Sequence, residues 1–403
     1  MASTLLIYAP VPVFRRDGQL YLENQACNGL RLWAENFDRV LVMMPEDPGQ
    51  MPDNWVPLAE NVPNLDRIEL HTLPTAYRPD QFARAYRKTR TRIRSLIERA
   101  DYLSFAIGGL FGDWGSVACL QAHRMNRKFA VWTDRVESQV MRADANDGPL
   151  KSRLRARLYW RPMAALERHV IRRATLGLFH GRDTFETYAP FCANPVLVHD
   201  IHIARSDHIT AQALVEKLKN IKDGPIRLFY SGRADAMKGP MDWIAVLGAL
   251  HEKGVDFRAT WLGVGDHLEQ MRSAVSSLGL EDKVSLPGFT RDRSELLNQL
   301  QSAHAFMFCH KTPESPRCLI EALISGTPII GYASAFPADL IADNGGGWLT
   351  PLNDVDALAD AIARLSADRA PLGKLISNAA RDGAPYDAET VFRHRSDVIK
   401  DNL

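Results

Sequence analysis

Residues 314–332 read ESPRCLIEALISGTPIIGY, and this stretch decides how the chain is built. Ser315 is placed to cap a first helical turn, and Pro316 suits the first helical position, where its missing N–H costs nothing. Gly326 falls where a helix takes a left-handed C-terminal cap. A helix is therefore expected from about Pro316 to Ser325. Leu319, Ile320, Leu323 and Ile324 give it an apolar face, while Arg317, Glu321 and Ser325 fall four apart on a polar stripe. TPIIGY then reads as a buried parallel strand, preceded by the strand AHAFMFC. A strand, a loop of capping groups and a helix N-terminus together make a place for phosphate or a polyhydroxylated ligand. Taken alone, Arg317 and Glu321 also fit an ordinary surface ion pair, worth only ~0.2–0.5 kcal/mol.

A second segment, IRLFYSGRADAMKG at 226–239, joins an apolar strand to a helical pattern that begins near Pro240. Arg233 and Lys238 stand on the connecting loop. Two cations there answer the charge of a diphosphate, which grows when a nucleoside diphosphate departs. Between the two segments lie strand FRATWLG, a turn GVGD at Gly263–Asp266, and strand KVSLPGF ending at Phe289.

In this order the motifs resemble the retaining glycosyltransferases of family four. The resemblance implies a GT-B fold: two Rossmann-like, doubly wound parallel-sheet domains facing a central cleft. By the same resemblance Glu314 contacts the donor sugar, with Ser315 beside it, and Glu321 contacts the ribose. Arg233 and Lys238 bind the diphosphate, Gly265 lies near the phosphates, and Val284–Phe289 line the base pocket. The spacing departs from the family, since six residues separate Glu314 from Glu321 where seven are usual. That points to a donor-sugar loop one residue shorter.

Length and composition agree with two domains. A chain of 403 residues that is 46% hydrophobic has enough apolar surface for two cores. Short Val/Ile/Leu/Phe runs alternate with helical stretches, which argues for parallel sheets covered on both faces. Strands are expected at TLLIYAP, RVLVMM, RIELHTL, YLSFAI, KFAVWT, LGLFH and VLVHDI, then at IRLFYS, RATWLG, KVSLPG, AFMFC, PIIGY and GGWL. The expected division is an acceptor domain at 1–205, a nucleotide-sugar donor domain at 222–381, and a helical segment at 382–403 packing back on the first domain. No run reaches the ~18 apolar residues of a membrane span, and the chain opens on a strand instead of a signal peptide. A cytoplasmic protein is expected, with a peripheral place on the inner face of the membrane left open.

Five cysteines, without C-x-x-C spacing, suggest reduced thiols. His199 and His202 in VHDIH would point to opposite faces of a strand, which argues against a metal pair. Asp354-Val355-Asp356 spells a D-x-D but stands where a helix needs an N-cap and an acidic first turn. No metal and no cofactor is expected beyond the substrate, a UDP-, GDP- or ADP-sugar.

The first half is less legible. Asn28-Gly29-Leu30 precede a helix through Trp33, and in the family a glycine loop here approaches the donor phosphates, so Gly29 is a candidate, as is an ordinary turn glycine. After KFAVWT many family members place a histidine near the reacting carbon, whereas Asp134 stands here. In the family the leaving phosphate takes the acceptor proton, so Asp134 would orient a sugar hydroxyl or stabilise oxocarbenium charge. Capping of the following helix is the competing reading. Glu137 and His180 are lesser candidates.

Charge is uneven despite a net of +1, with 27 Lys and Arg against 22 Asp and Glu in residues 1–200. The excess lies in two runs: Arg84, Arg87, Lys88, Arg90, Arg92, Arg94 and Arg99, then Lys151, Arg153, Arg155, Arg157, Arg161, Arg168, Arg172 and Arg173. Such runs fit either solvated helices or contact with anionic membrane, hence a lipid-linked acceptor. A nucleic-acid partner is not expected, since no binding motif or strongly basic total is present. The sequence points to a retaining glycosyltransferase acting on a glycan or lipid-linked acceptor in bacterial polysaccharide biosynthesis. A GT-B nucleotide-sugar epimerase and a non-catalytic nucleotide-sugar-binding subunit are the alternatives.

Overall fold

The computed structural model describes residues 3–52, 54–144, 150–199, 201–222, 224–290, 292–312 and 315–403. The chain divides into two compact units, residues 1–202 with 388–403, and residues 203–387.

The first unit is built on a seven-stranded sheet whose neighbours run Pro195–Val198, Leu176–His180, Ala130–Thr133, Tyr102–Ala106, Thr4–Tyr8, Arg39–Glu46, Ile68–Pro74. Every pairing is parallel. Numbered along the chain within this sheet, the spatial order is 3-2-1-4-5-6-7, that of a doubly wound fold. Side chains alternate between two cores, as the two-residue period of a strand requires. Leu6 and Tyr8 join Leu41, Met43 and Trp114 on one face. Leu5 and Ile7 join Val40, Val42 and Leu30 on the other. With both faces covered, such strands have no room for a polar alternation.

The helix Ala388–Asn402 closes the second of these faces, where Phe392 stacks against Trp33 at 5.1 Å between ring centroids. Arg395 is buried between Trp33, Trp132 and Phe392, with its guanidinium carbon 5.1–5.6 Å from the three rings.

Three sequence readings in this unit are corrected. Gly29 does not lie in a loop, because the helix runs Asn24–Asn36 and buries Gly29 in its middle. A Cβ there would lie 3.4 Å from His202 and 3.7 Å from Phe392, so the position serves packing against the C-terminal helix. The last strand ends at Val198, so His199 and His202 lie beyond it and the two-face argument does not govern them. A small antiparallel sheet, Phe14–Arg16, Gln19–Glu23 and Trp55–Pro57, was not expected at all. Its hairpin turns on Asp17 and Gly18, both at positive φ, the two-residue turn that matches strand twist.

The second unit has a six-stranded parallel sheet in the order Val284–Gly288, Phe257–Leu262, Ile226–Ser231, Ala305–Phe308, Ile329–Tyr332, Gly347–Thr350. Along the chain this is 3-2-1-4-5-6, and all its pairings are parallel. Each expected strand is present within a residue or two. The chain reverses its direction of winding between Ile226–Ser231 and Ala305–Phe308, and open sheets of this kind hold ligands beyond the carboxyl ends of the strands at that reversal.

Candidate functional site

The reversal point of the second sheet gathers most of the expected donor residues. Strand Ile226–Ser231 runs into Gly232 and Arg233, then a short turn Ala236–Lys238, then helix Pro240–Glu252. Arg233 is 71% exposed and paired with Asp235 at 2.8 Å, so its guanidinium stands at the surface of the loop with one carboxylate for company. Strand Ala305–Phe308 ends beside this loop, because the Lys311 N–H donates to Met237 O at 2.9 Å. The Lys311 amine is held in turn by Asp242 at 2.7 Å, and Asp242 also accepts from Tyr332 Oη at 2.9 Å.

Gly265 has a packing reason that the sequence does not reveal. A Cβ on it would fall 2.6–2.7 Å from the backbone of Ala234, and one on Gly263 would fall 2.0 Å from Gly232 O. The turn 263–265 therefore lies directly on the loop of Arg233, joined by Ala234 N–H to Val264 O at 2.9 Å and His267 N–H to Ala234 O at 2.9 Å.

The second motif also departs from expectation in detail. Its helix spans Arg317–Ile324, with Pro316 in an extended conformation at the N-cap and no side-chain cap, so Ser315 does not cap it. Pro316, at ψ 123°, stands just outside the first helical turn. The other end matches the sequence: Gly326 has φ +60°, its N–H bonds Leu323 O, and Thr327 N–H bonds Ala322 O. That is the paired bonding of a Schellman cap. The buried Lys217 amine fastens the same end, 2.6 Å from Thr327 Oγ1 and 3.4 Å from Ser325 O.

Glu321 projects from this helix with its side chain 17% exposed. Its carboxylate is met by Arg293, 3.2 Å away on the neighbouring helix Arg293–Ser302, and Arg293 also holds Asp207 at 2.7 Å. Burial pushes the Glu321 carboxyl above the usual range, while Arg293 and Arg317 pull it back. Glu314 lies outside the described residues.

Sequence reasoning missed a polar cluster at the same strand ends. Tyr230 Oη lies 2.8 Å from Nε2 of the buried His310. Burial, and after it the charge of Lys238, hold the His310 imidazole well below the ordinary histidine range, so the ring is neutral. Ser231 Oγ and Thr312 Oγ1 are buried with no hydrogen-bond partner among the described residues. Buried hydroxyls without partners are costly, and they are satisfied when a ligand brings acceptors. The signal was there in YS and CHKT, polar residues closing two apolar strands.

In the first unit, Asp134 is exposed just after strand Ala130–Thr133, and its carbonyl accepts from Thr184 Oγ1 at 3.5 Å. The helix that follows is Glu137–Asp144. Its early amide at Ser138 is taken by the carboxylate of Glu167, at 3.0 Å, with Ser138 Oγ at 2.6 Å from the same group. Burial raises the Glu167 carboxyl. Glu137 pairs with Arg135 at 2.6 Å, and His180 is buried with its ring 5.9 Å from His199. Asp354, the D-x-D residue, caps helix Val355–Ala367 by accepting from Ala357 N–H at 2.9 Å.

Residues 214–382 match the family described as Glycosyl transferases group 1. Among curated proteins, the amylovoran biosynthesis glycosyltransferase AmsK of Erwinia amylovora is 28% identical over 191 residues, 46% of this chain and 47% of that one. The putative colanic acid biosynthesis glycosyltransferase WcaL of Escherichia coli (strain K12) is 30% identical over 148 residues, 35% of this chain and 36% of that one. The match thus spans less than half the length of these relatives. Among solved structures, Anabaena Alr3699/HepE in complex with UDP superposes with a TM-score of 0.67 at 15% identity, covering 100% of both chains. The lipopolysaccharide outer core galactosyltransferase WaaB, in its apo form, gives 0.68 at 14% identity, again over 100% of both. Likeness at that identity establishes the fold, which is GT-B. Through residues 214–382 the chain is similar to the glycosyl transferases group 1 family.

Proposed function

We propose that the protein is a retaining glycosyltransferase that moves a sugar from a nucleotide diphosphate donor to a glycan or lipid-linked acceptor in bacterial polysaccharide biosynthesis, without a metal ion. The observation that carries this reading is the convergence of Arg233, Lys238 and the unpartnered hydroxyls of Ser231 and Thr312 at the winding reversal of the second sheet. Cations and hydroxyl donors there suit a diphosphate, whose leaving-group charge they stabilise as the glycosidic bond breaks. Glu321, on the helix beyond, supplies a carboxylate for the ribose, and Glu314 the contact to the sugar. Asp134, exposed after its strand, acts on the reacting sugar from the first unit.

Uracil is the favoured donor base, because the solved structures of like fold include HepE with UDP and with UDP-glucose. Polysaccharide assembly is favoured by the names of AmsK and WcaL. A thermal-shift panel of UDP, GDP, ADP and their sugars tests the donor site, since a ligand that binds only the folded state raises the melting temperature. Stabilisation by one nucleotide family is expected. No stabilisation by any of them overturns the reading.

A further inference from the structure

Asp134 is exposed, but the backbone on either side of it is fastened by buried side chains. Thr133 Oγ1, at the end of strand Ala130–Thr133, donates to Arg135 O at 2.8 Å. Thr184 Oγ1 reaches Asp134 O at 3.5 Å from helix Arg182–Tyr188. One turn further along that helix, the Tyr188 hydroxyl bonds the carboxylate of Glu167. Glu167, on helix Leu150–Ile171, also takes the N–H and the hydroxyl of Ser138, in the first turn of helix Glu137–Asp144. Thr133, Ser138, Glu167, Thr184 and Tyr188 are all buried. At the adjacent strand end Gly108 makes room for Glu137, because a Cβ there would lie 3.0 Å from Glu137 Cγ.

Helix capping alone does not call for this arrangement. The residue just before a helix ordinarily supplies an oxygen to the second or third amide, from a short polar side chain at the surface. Here that residue is Val136, which has no acceptor, and the oxygen comes from a residue 29 positions away. Burying a carboxylate is costly even when it is hydrogen-bonded, and a serine or aspartate at 136 would cap the helix without it. What the distant carboxylate adds is position. It ties the 134–138 loop to helices Leu150–Ile171 and Arg182–Tyr188 together. A charge that acts in a transition state has to be held within about 0.5 Å of its working place, and surrounding hydrogen bonds of this kind do the holding.

We propose that Glu167, seconded by Tyr188, is a positioning residue for Asp134: by fixing the loop 134–138 it sets where the Asp134 carboxylate stands. Glu167 touches no substrate and acts only through that loop. The inference rests on the proposed function, in which Asp134 acts on the reacting sugar.

The test is a double-mutant cycle on turnover of the full chain, read as nucleoside diphosphate released from UDP-, GDP- and ADP-glucose with water as the acceptor. Melting temperature and nucleotide affinity are measured in parallel. Glu167→Ala should lower kcat at least about tenfold and leave the donor KM within about twofold. Glu167→Gln keeps an oxygen for Ser138 N–H and should recover most of the loss. Tyr188→Phe should lower kcat severalfold. In an Asp134→Asn background none of the three should lower kcat further, because residues that act as one unit are not additive. Glu167→Gln and Tyr188→Phe carry the cycle if Glu167→Ala does not fold. Additive losses overturn the proposal, since they mean that Glu167 acts on folding or on another group. An unchanged kcat in Glu167→Ala overturns it as well, as does a loss confined to KM. A wild type that turns over none of the three donors brings down the proposed function, and this inference with it.

Discussion

Arg293 Nη1 lies 3.2 Å from Glu321 Oε1, reaching across from another helix, and the same guanidinium bonds Asp207. Glu321 is thus one of two carboxylates sharing one cation from another helix, a contact that helix spacing did not suggest.

Removing that cation separates the structural duty of Glu321 from its proposed contact with ribose. Arg293→Ala leaves two carboxylates facing each other in a poorly hydrated place, so a stability loss of about 1–3 kcal/mol is expected, small because Arg293 is itself 42% exposed. Glu321→Gln should instead weaken nucleoside diphosphate and nucleotide sugar alike with little change in melting temperature. Calorimetric titration of both variants checks this; unchanged nucleotide affinity in Glu321→Gln removes the residue from the donor site.

Arg233→Ala and Lys238→Ala should each lose roughly 2–5 kcal/mol of binding or transition-state energy toward a diphosphate donor. Lys238 should cost the more. Arg233 is exposed and shared with Asp235, whereas Lys238 is half-buried. Isothermal titration with nucleoside monophosphate and diphosphate is the measurement. A loss for diphosphate alone is expected, and equal losses for both ligands contradict the assignment.

Asp134→Asn removes charge and keeps volume. A kcat loss of roughly 10²-fold, about 2.7 kcal/mol, is expected with nucleotide affinity unchanged. The helix beyond it should not notice, because Glu167 accepts from Ser138 N–H. Glu167→Gln is the complementary variant, expected to lower the melting temperature while leaving nucleotide affinity unchanged. Near wild-type turnover in Asp134→Asn eliminates it from the chemistry.

Two buried histidines should make the second unit acid-sensitive. His304 is pushed down to about 3 by burial and by Arg227, Arg369 and Lys217, and His310 is held well below 6.5 by burial and Lys238. Each folded pKa is depressed, so the unfolded chain binds the proton first. Stability is whole above about pH 6.5 and falls below it by up to about 1.4 kcal/mol per pH unit for each ring. Melting temperatures from pH 7.5 to 4.5 should show this slope. His304→Asn offers Arg227 N–H an oxygen in place of the Nδ1 that now lies 3.2 Å away. That variant should flatten part of the slope, and an identical profile discounts the histidine.

Both Rossmann-like sheets could be read from apolar runs, because parallel strands covered on two faces leave a continuous hydrophobic signal. The hairpin at Asp17-Gly18 is equally readable, with Asp-Gly between the alternating VFRR and QLYL, but its short, half-buried strands give a weaker apolar signal than the parallel sheets. Gly29 went wrong because glycine in a helix interior resembles a loop glycine until its neighbours are known, and Phe392 arrives from 363 residues away. The Arg293 contact was illegible for the same reason: helix periodicity reports neighbours three and four apart, never those brought by another element. Tyr230, Ser231, His310 and Thr312 sat in plain view as polar endings of strands, yet only the winding order of the sheet distinguishes those two strand ends from the other four.

The seating of Gly263 and Gly265 on Gly232 and Ala234 makes two turns into one mechanical part. Neither can shift without dragging the other, since no gap separates their backbones. A phosphate drawn to Arg233 is then felt at His267, whose amide is bonded to Ala234 O. Solvent exchange at the amides of Ala234 and His267 should slow together when nucleotide binds, and an alanine at 265 would pry the pair apart without touching any charge.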